Sequence, residues 1–159
     1  MRRPLLRFAV LFFLALIGFS LLSVVTNLQN HLAALENGIA AAAGWIAQGI
    51  GSNAVVADNL ISVSGMTLNI NHECTGVFVL FVLTSFIAAY PAGWRAKLLG
   101  IAVGVLLLTT INVVRIATLV RVVEFYPQAF AYFHEYVWQG AFLMLTTLYA
   151  ITWVEWTHR

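Results

Sequence analysis

Four apolar stretches, Phe8 to Val25, Val77 to Tyr90, Leu98 to about Ile116 and Val137 to Val154, alternate with segments in which polar residues return. A hydrocarbon core about 30 Å thick takes ~20 residues of helix, and the first, third and fourth stretches meet that length. The second reaches it only if its helix begins near His72 to Cys74, which puts Cys74 in the first helical turn. Asn27 to Ile50 is Ala-rich, with Leu28, Leu32, Leu35, Ile39, Trp45 and Ile46 spaced among polar residues, and predicts a helix lying on or in the membrane interface. From Val55 to Ile70 polarity alternates, with turn residues at Asp58-Asn59 and Ser64-Gly65, so two short strands are expected to deliver the chain to Cys74. Gly100 and Gly104 give the third stretch a spacing that allows close helix approach. The pattern therefore predicts an all-α membrane protein. It has about four transmembrane helices in a bundle, with an outer amphipathic helix and a small β-hairpin before the second membrane helix.

Composition agrees. Of 159 residues, 62% are hydrophobic and 9% charged, against roughly 45–50% apolar and 25% charged in soluble domains. No Pro/Gly/Ser-rich linker or charge block divides residues 1–159, so a single integral membrane domain is expected. No basic nucleic-acid patch, glycine-rich phosphate loop or repeat is visible, which drops soluble-enzyme and nucleic-acid readings. Arg2, Arg3 and Arg7 precede the first apolar run, and no convincing small-x-small cleavage site follows it, so it reads as an uncleaved signal anchor.

The charge pattern sets a topology. Arg2, Arg3, Arg7, Arg95, Lys97 and Arg159 fall on one side of a four-helix arrangement, which the positive-inside rule makes cytoplasmic together with both termini. Only Arg115 and Arg121 break that rule. An arginine set against the topological preference near a membrane helix end is a functional-site candidate; Arg121 fits better as a residue that snorkels to lipid phosphates.

With that topology the polar residues gather at the outer face. Cys74, the single cysteine, stands at the outer start of the second helix. Asn112 and Arg115 end the third, and His134 opens the fourth. A thiol attacks as thiolate, and its pKa falls at a helix N-terminus or beside His or Arg. An imidazole can take the thiol proton and return one to a leaving amine. A permanently charged guanidinium can stabilise an oxyanion in a water-poor site. Asn112, three residues before Arg115, is placed to orient that guanidinium through its side-chain carbonyl. Thr75 and Gly76 are expected to let a substrate approach closely and to offer backbone amides near the sulfur. Two other classes compete on these residues: a non-enzymatic four-helix membrane subunit or assembly factor, and a small haem- or quinone-binding protein using His31, His72 or His134. No pair of ligands has a convincing i, i+4 metal spacing, and no metal or cofactor is implied.

The run Asn71-His72-Glu73-Cys74-Thr75-Gly76 at the head of a membrane helix, then Asn112-Val113-Val114-Arg115-Ile116, then His134 at the start of the last helix, resembles the exosortase/archaeosortase family. The short length and the form of the cysteine run are most similar to its compact members of the exosortase H type. The resemblance spans roughly Ile61 to Gly140. It implies a cysteine protease/transpeptidase in the inner membrane of a Gram-negative bacterium, with the site facing the periplasm. The implied partner is an exported protein whose C-terminal sorting signal comprises a short motif, a transmembrane helix and a basic cluster. Cys74 then matches the family nucleophile that forms an acyl-thioester, Arg115 the family arginine and His134 the third polar position. Many exosortases have more membrane helices than this chain.

Overall fold

The computed structural model describes residues 2–26 and 31–158. The first residues of the expected outer helix, 27–30, and Arg159 of the expected basic face lie outside the described residues. The chain is mostly helical: α1 (Arg2–Val25), α2 (Ala33–Gly49), strands β1 (Val55–Ala57), β2 (Leu60–Val63) and β3 (Met66–Asn69), a 3₁₀ turn (His72–Thr75), α3 (Val77–Ala89) and α4 (Trp94–Phe125). A second 3₁₀ turn (Pro127–Ala129), the short α5 (Phe130–Tyr132) and a π-helical turn (Phe133–Val137) then lead into α6 (Trp138–Thr157).

Among the described residues, three helical segments are long and apolar enough to cross a membrane: Leu5–Val25, Trp94–Phe125 and Pro127–Thr157. The second expected span is shorter than the pattern suggested. With 13 residues, α3 rises only ~20 Å. Its N-terminal limit is Gly76, whose left-handed conformation at φ 73° separates the His72–Thr75 turn from the helix. Its C-terminal limit is Tyr90, held extended at ψ 139° because the α region is disfavoured before Pro91. Cys74 therefore sits in a separate turn ahead of α3, not in its first turn as expected.

The expected hairpin is a three-stranded antiparallel meander in the order β1-β2-β3. Each of the two turn sites seen in the sequence closes its own strand pair, joining Ala57 to Leu60 and Val63 to Met66. Ser64 and Gly65 both take positive φ, 50° and 80°, as the tight turn favoured between twisted strands requires. The buried members of β2 are Ile61 and Val63, alternating with exposed Leu60 and Ser62.

At 32 residues, α4 runs ~48 Å, well beyond a hydrocarbon core of ~30 Å. Two apolar clusters divide it. One joins α4 to α3 and α6 through Leu83, Ile87, Leu108, Phe142 and Trp153. The other joins the far half of α4 to α2 and the sheet through Ile39, Ala43, Ile61, Ile70, Ile116 and Val120. The Ala-rich segment thus packs closely on α4: Ala40, Ala43 and Ala47 are fully buried. Gly44 leaves room for the Val56 side chain, which a Cβ there would meet.

Gly100 and Gly104 serve the first cluster. Gly100 faces the Trp153 indole, and a Cβ at Gly104 would stand 2.7 Å from Leu83 Cδ2 and 2.8 Å from Tyr149 Cε1. Aromatic rings join α1 to α3, with Phe19 stacked on Phe81 and Phe8 set edge-on to Phe86 at 5.5 Å.

Candidate active site

Polar residues on α4 occupy the junction between the two apolar clusters. Leu108 belongs to one cluster and Ile116 to the other, and Asn112 and Arg115 lie between them, 1% and 5% exposed. Burying such groups costs several kcal/mol unless they are hydrogen-bonded. Asn112 meets that demand in two directions. Its Nδ2 donates to the Cys74 carbonyl at 2.8 Å, and its Oδ1 accepts from Arg115 Nη1 at 3.5 Å. One amide thus ties the cysteine turn and the guanidinium to the same point of α4.

The turn itself is fixed by Asn71. Its Oδ1 accepts from the backbone N–H groups of Glu73 and Cys74, both at 3.2 Å, which is the capping role asparagine fills well. Thr75 is buried and its hydroxyl donates to the His72 carbonyl at 2.6 Å. Gly76 faces Asn112, whose Cγ lies 3.4 Å from the position of an added Cβ. Thr75 and Gly76 therefore build the turn and its contact with α4. Neither residue is among those that line the cleft beside Cys74.

Cys74, Arg115 and His134 line one cleft of about 220 Å³, together with Glu73 and an apolar wall that includes Ile70, Leu119 and Phe130. His134 reaches it from the π-helical turn, with its ring stacked on Phe130 at a centroid distance of 5.5 Å. A π turn carries one more residue than an α-helical turn and is frequent at functional sites. Nothing in the run Phe133 to Val137 announces it.

Arg115 Nε is buried and has no hydrogen-bond partner among the described residues. A buried guanidinium N–H left unpaired is costly, and here it belongs to a residue that lines the cleft.

The electrostatics differ from the sequence expectation in one respect. Half-buried Cys74 has its thiol pushed up from the ordinary value, because burial disfavours the thiolate more than its neighbours favour it. The backbone N–H of Asn71 and the charge of Arg115 pull the other way, and the charges of Glu73 and Glu36 add to the upward push. Burial at this position thus favours the neutral thiol.

Arg121 stands apart from the cleft. It pairs with Glu124 at 2.6 Å and lies over the Phe125 ring at 4.5 Å. His72 lies outside the thiol cleft. It lines a larger apolar groove of about 630 Å³ between α1 and the start of α3, bordered by Phe19, Ser20, Val77 and Phe78. Glu73 lines both cavities, so the groove and the cleft meet at that residue. Among the described residues, no three His, Cys, Asp or Glu side chains gather to hold a metal ion.

Fold and site together define a small multi-pass membrane protein with a thiol, a guanidinium and an imidazole around one cleft. Residues 2–153 match the transmembrane exosortase family (Exosortase_EpsH), and the chain belongs to that family. It is 30% identical over 104 residues to the probable archaeosortase E of Methanocaldococcus jannaschii, an alignment covering 65% of this chain and 56% of the archaeal protein. The chain thus spans little more than half the length of that curated relative. No solved structure matches the chain.

Proposed function

We propose that this protein is a membrane-embedded cysteine protease/transpeptidase that cuts the C-terminal sorting tail of exported proteins through an acyl-thioester on Cys74. The observation that carries the reading is the convergence of Cys74, Arg115 and His134 on a single cleft from three separated elements. Family membership supports it.

In this mechanism His134 takes the Cys74 proton and the sulfur attacks the scissile carbonyl carbon, whose oxygen becomes an oxyanion. The Arg115 guanidinium, which lines the cleft, stabilises that charge. Collapse of the tetrahedral intermediate breaks the C–N bond, and the proton held by His134 goes to the leaving amine. An incoming amine or water then attacks the thioester, releasing product and regenerating the thiol. The proton moves on His134 because a guanidinium holds its proton too tightly to be a good shuttle.

The substrate is an exported protein carrying a short motif, a transmembrane helix and a basic cluster. In this reading its apolar helix reaches the cleft through the groove between α1 and α3, which meets the cleft at Glu73. The site faces the periplasm of a Gram-negative inner membrane, and both termini are cytoplasmic, as the positive-inside pattern supports.

The test is co-expression with a candidate sorting-tail protein, following tail removal by mass. Wild type is expected to cut, with Cys74→Ala inert at equal membrane abundance. Cutting by Cys74→Ala at the wild-type rate overturns the assignment.

A further inference from the structure

At the opposite end of α1 from the thiol groove, Arg7 and Lys97 line a cavity of about 490 Å³, with Phe8, Leu11, Tyr90 and Pro91 completing its wall. The two cations come from different elements. Arg7 lies on α1 and Lys97 in the first turn of α4, beyond the α3–α4 connection. Lys97 is oriented by a hydrogen bond of 2.5 Å from Nζ to the Ala88 carbonyl, one of the free carbonyls at the end of α3. That bond uses one of three ammonium N–H groups and leaves two.

No acidic side chain borders the cavity. Among the described residues the one ion pair is Arg121–Glu124, far along α4, so neither cation here has a carboxylate partner. A second cavity, of about 380 Å³, continues along α1 past Leu6, Val10 and Leu11, shares Arg7 with the first, and is almost wholly apolar. Two unneutralised cations at the mouth of an apolar trough complement an amphiphile with an anionic head. Both cations belong to the set that the positive-inside rule places at the cytoplasmic surface, where anionic lipids attract basic residues.

We propose that this cavity binds an anionic phospholipid, its phosphate between Arg7 and Lys97 and an acyl chain along Leu11 and Val10. The lipid bridges α1 to the α3–α4 connection, beside the edge-on contacts of the Phe8 ring with Phe86 and Tyr90.

The test is native mass spectrometry of the purified full-length protein with an equal mixture of phosphatidylglycerol and phosphatidylcholine of identical acyl chains. Wild type is expected to retain phosphatidylglycerol in preference, by about fivefold for each cation engaged. Arg7→Gln and Lys97→Gln each lose about one such factor, and the double variant loses the preference. Arg95→Gln, at the same end but outside the cavity, keeps it. Equal retention of the two lipids by wild type overturns the proposal, as does a preference that survives the double variant. Displacement of the lipid by millimolar inorganic phosphate overturns it too, since the site would then hold a free anion. Should the double variant fail to fold, the two single variants carry the same comparison.

Discussion

Replacing Asn112 by alanine removes a side chain that bonds both the cysteine turn and Arg115. The Cys74 carbonyl loses a donor at 2.8 Å and Arg115 Nη1 loses an acceptor at 3.5 Å. The second contact is long and contributes little, so the first dominates. Leaving a partly buried carbonyl unpaired costs about 1–3 kcal/mol, and Arg115, already with an orphan Nε, is left with a second unanchored group. If that energy holds Cys74 and Arg115 in their working geometry, ~1.4–2.8 kcal/mol of lost alignment lowers turnover about 10- to 100-fold. Asn112→Asp separates the two contacts. A carboxylate still accepts from Arg115 but opposes an acceptor to the Cys74 carbonyl, so this variant should be impaired about as much as alanine. The assay is tail removal at matched membrane abundance, run beside the rate of Cys74 alkylation by a small soluble electrophile. Turnover by Asn112→Ala within about twofold of wild type would refute the reasoning, because the bridge would then have no part in the geometry.

Three further outcomes are expected. Alkylation of Cys74 should accelerate with rising pH through a midpoint above the ordinary thiol range, since burial favours the protonated form; Arg115→Gln removes a charge that lowers it and should move the midpoint higher still. Gly104→Val places side-chain atoms against Leu83 and Tyr149, an overpacking of about 1–3 kcal/mol that should lower the melting temperature in detergent, read by tryptophan fluorescence. Gly76→Ala forces a non-glycine residue to φ 73°, costing about 1–2 kcal/mol, and should slow tail removal more than Gly76→Asn, which tolerates that conformation.

Much of this arrangement is legible in the chain because membrane burial leaves strong signals. Apolar length alone marks α1, α4 and α6, and the Gly100/Gly104 spacing marks the close contact with Trp153 and Tyr149. Both turns of the sheet are visible at Asp58-Asn59 and Ser64-Gly65. The third strand is missed because two turns bound three strands, while alternation over so short a run suggests only two. The separation of Cys74 from α3 depends on Gly76 taking a left-handed conformation, which the apolar run after it conceals. Cys74, Arg115 and His134 are brought toward one another by topology, and the three-residue spacing marks Asn112 as a support for Arg115, whereas the supports of the cysteine turn are not readable. Asn71 caps the turn and Asn112 bonds the Cys74 carbonyl across 38 positions of sequence, and such a contact exists only once α4 is docked. The upward shift of the thiol is likewise a property of its apolar wall, drawn from β3, α4 and α5, which no local motif contains.

The central claim is that Cys74 becomes covalently acylated during turnover. The direct measurement is intact mass of the protein after brief incubation with a sorting-tail substrate, with hydroxylamine added to a parallel sample. The account predicts a mass increase equal to the retained substrate segment, located at Cys74, released by hydroxylamine and absent from Cys74→Ala. Tail removal that proceeds in wild type without any such adduct, and equally in Cys74→Ala, would contradict it.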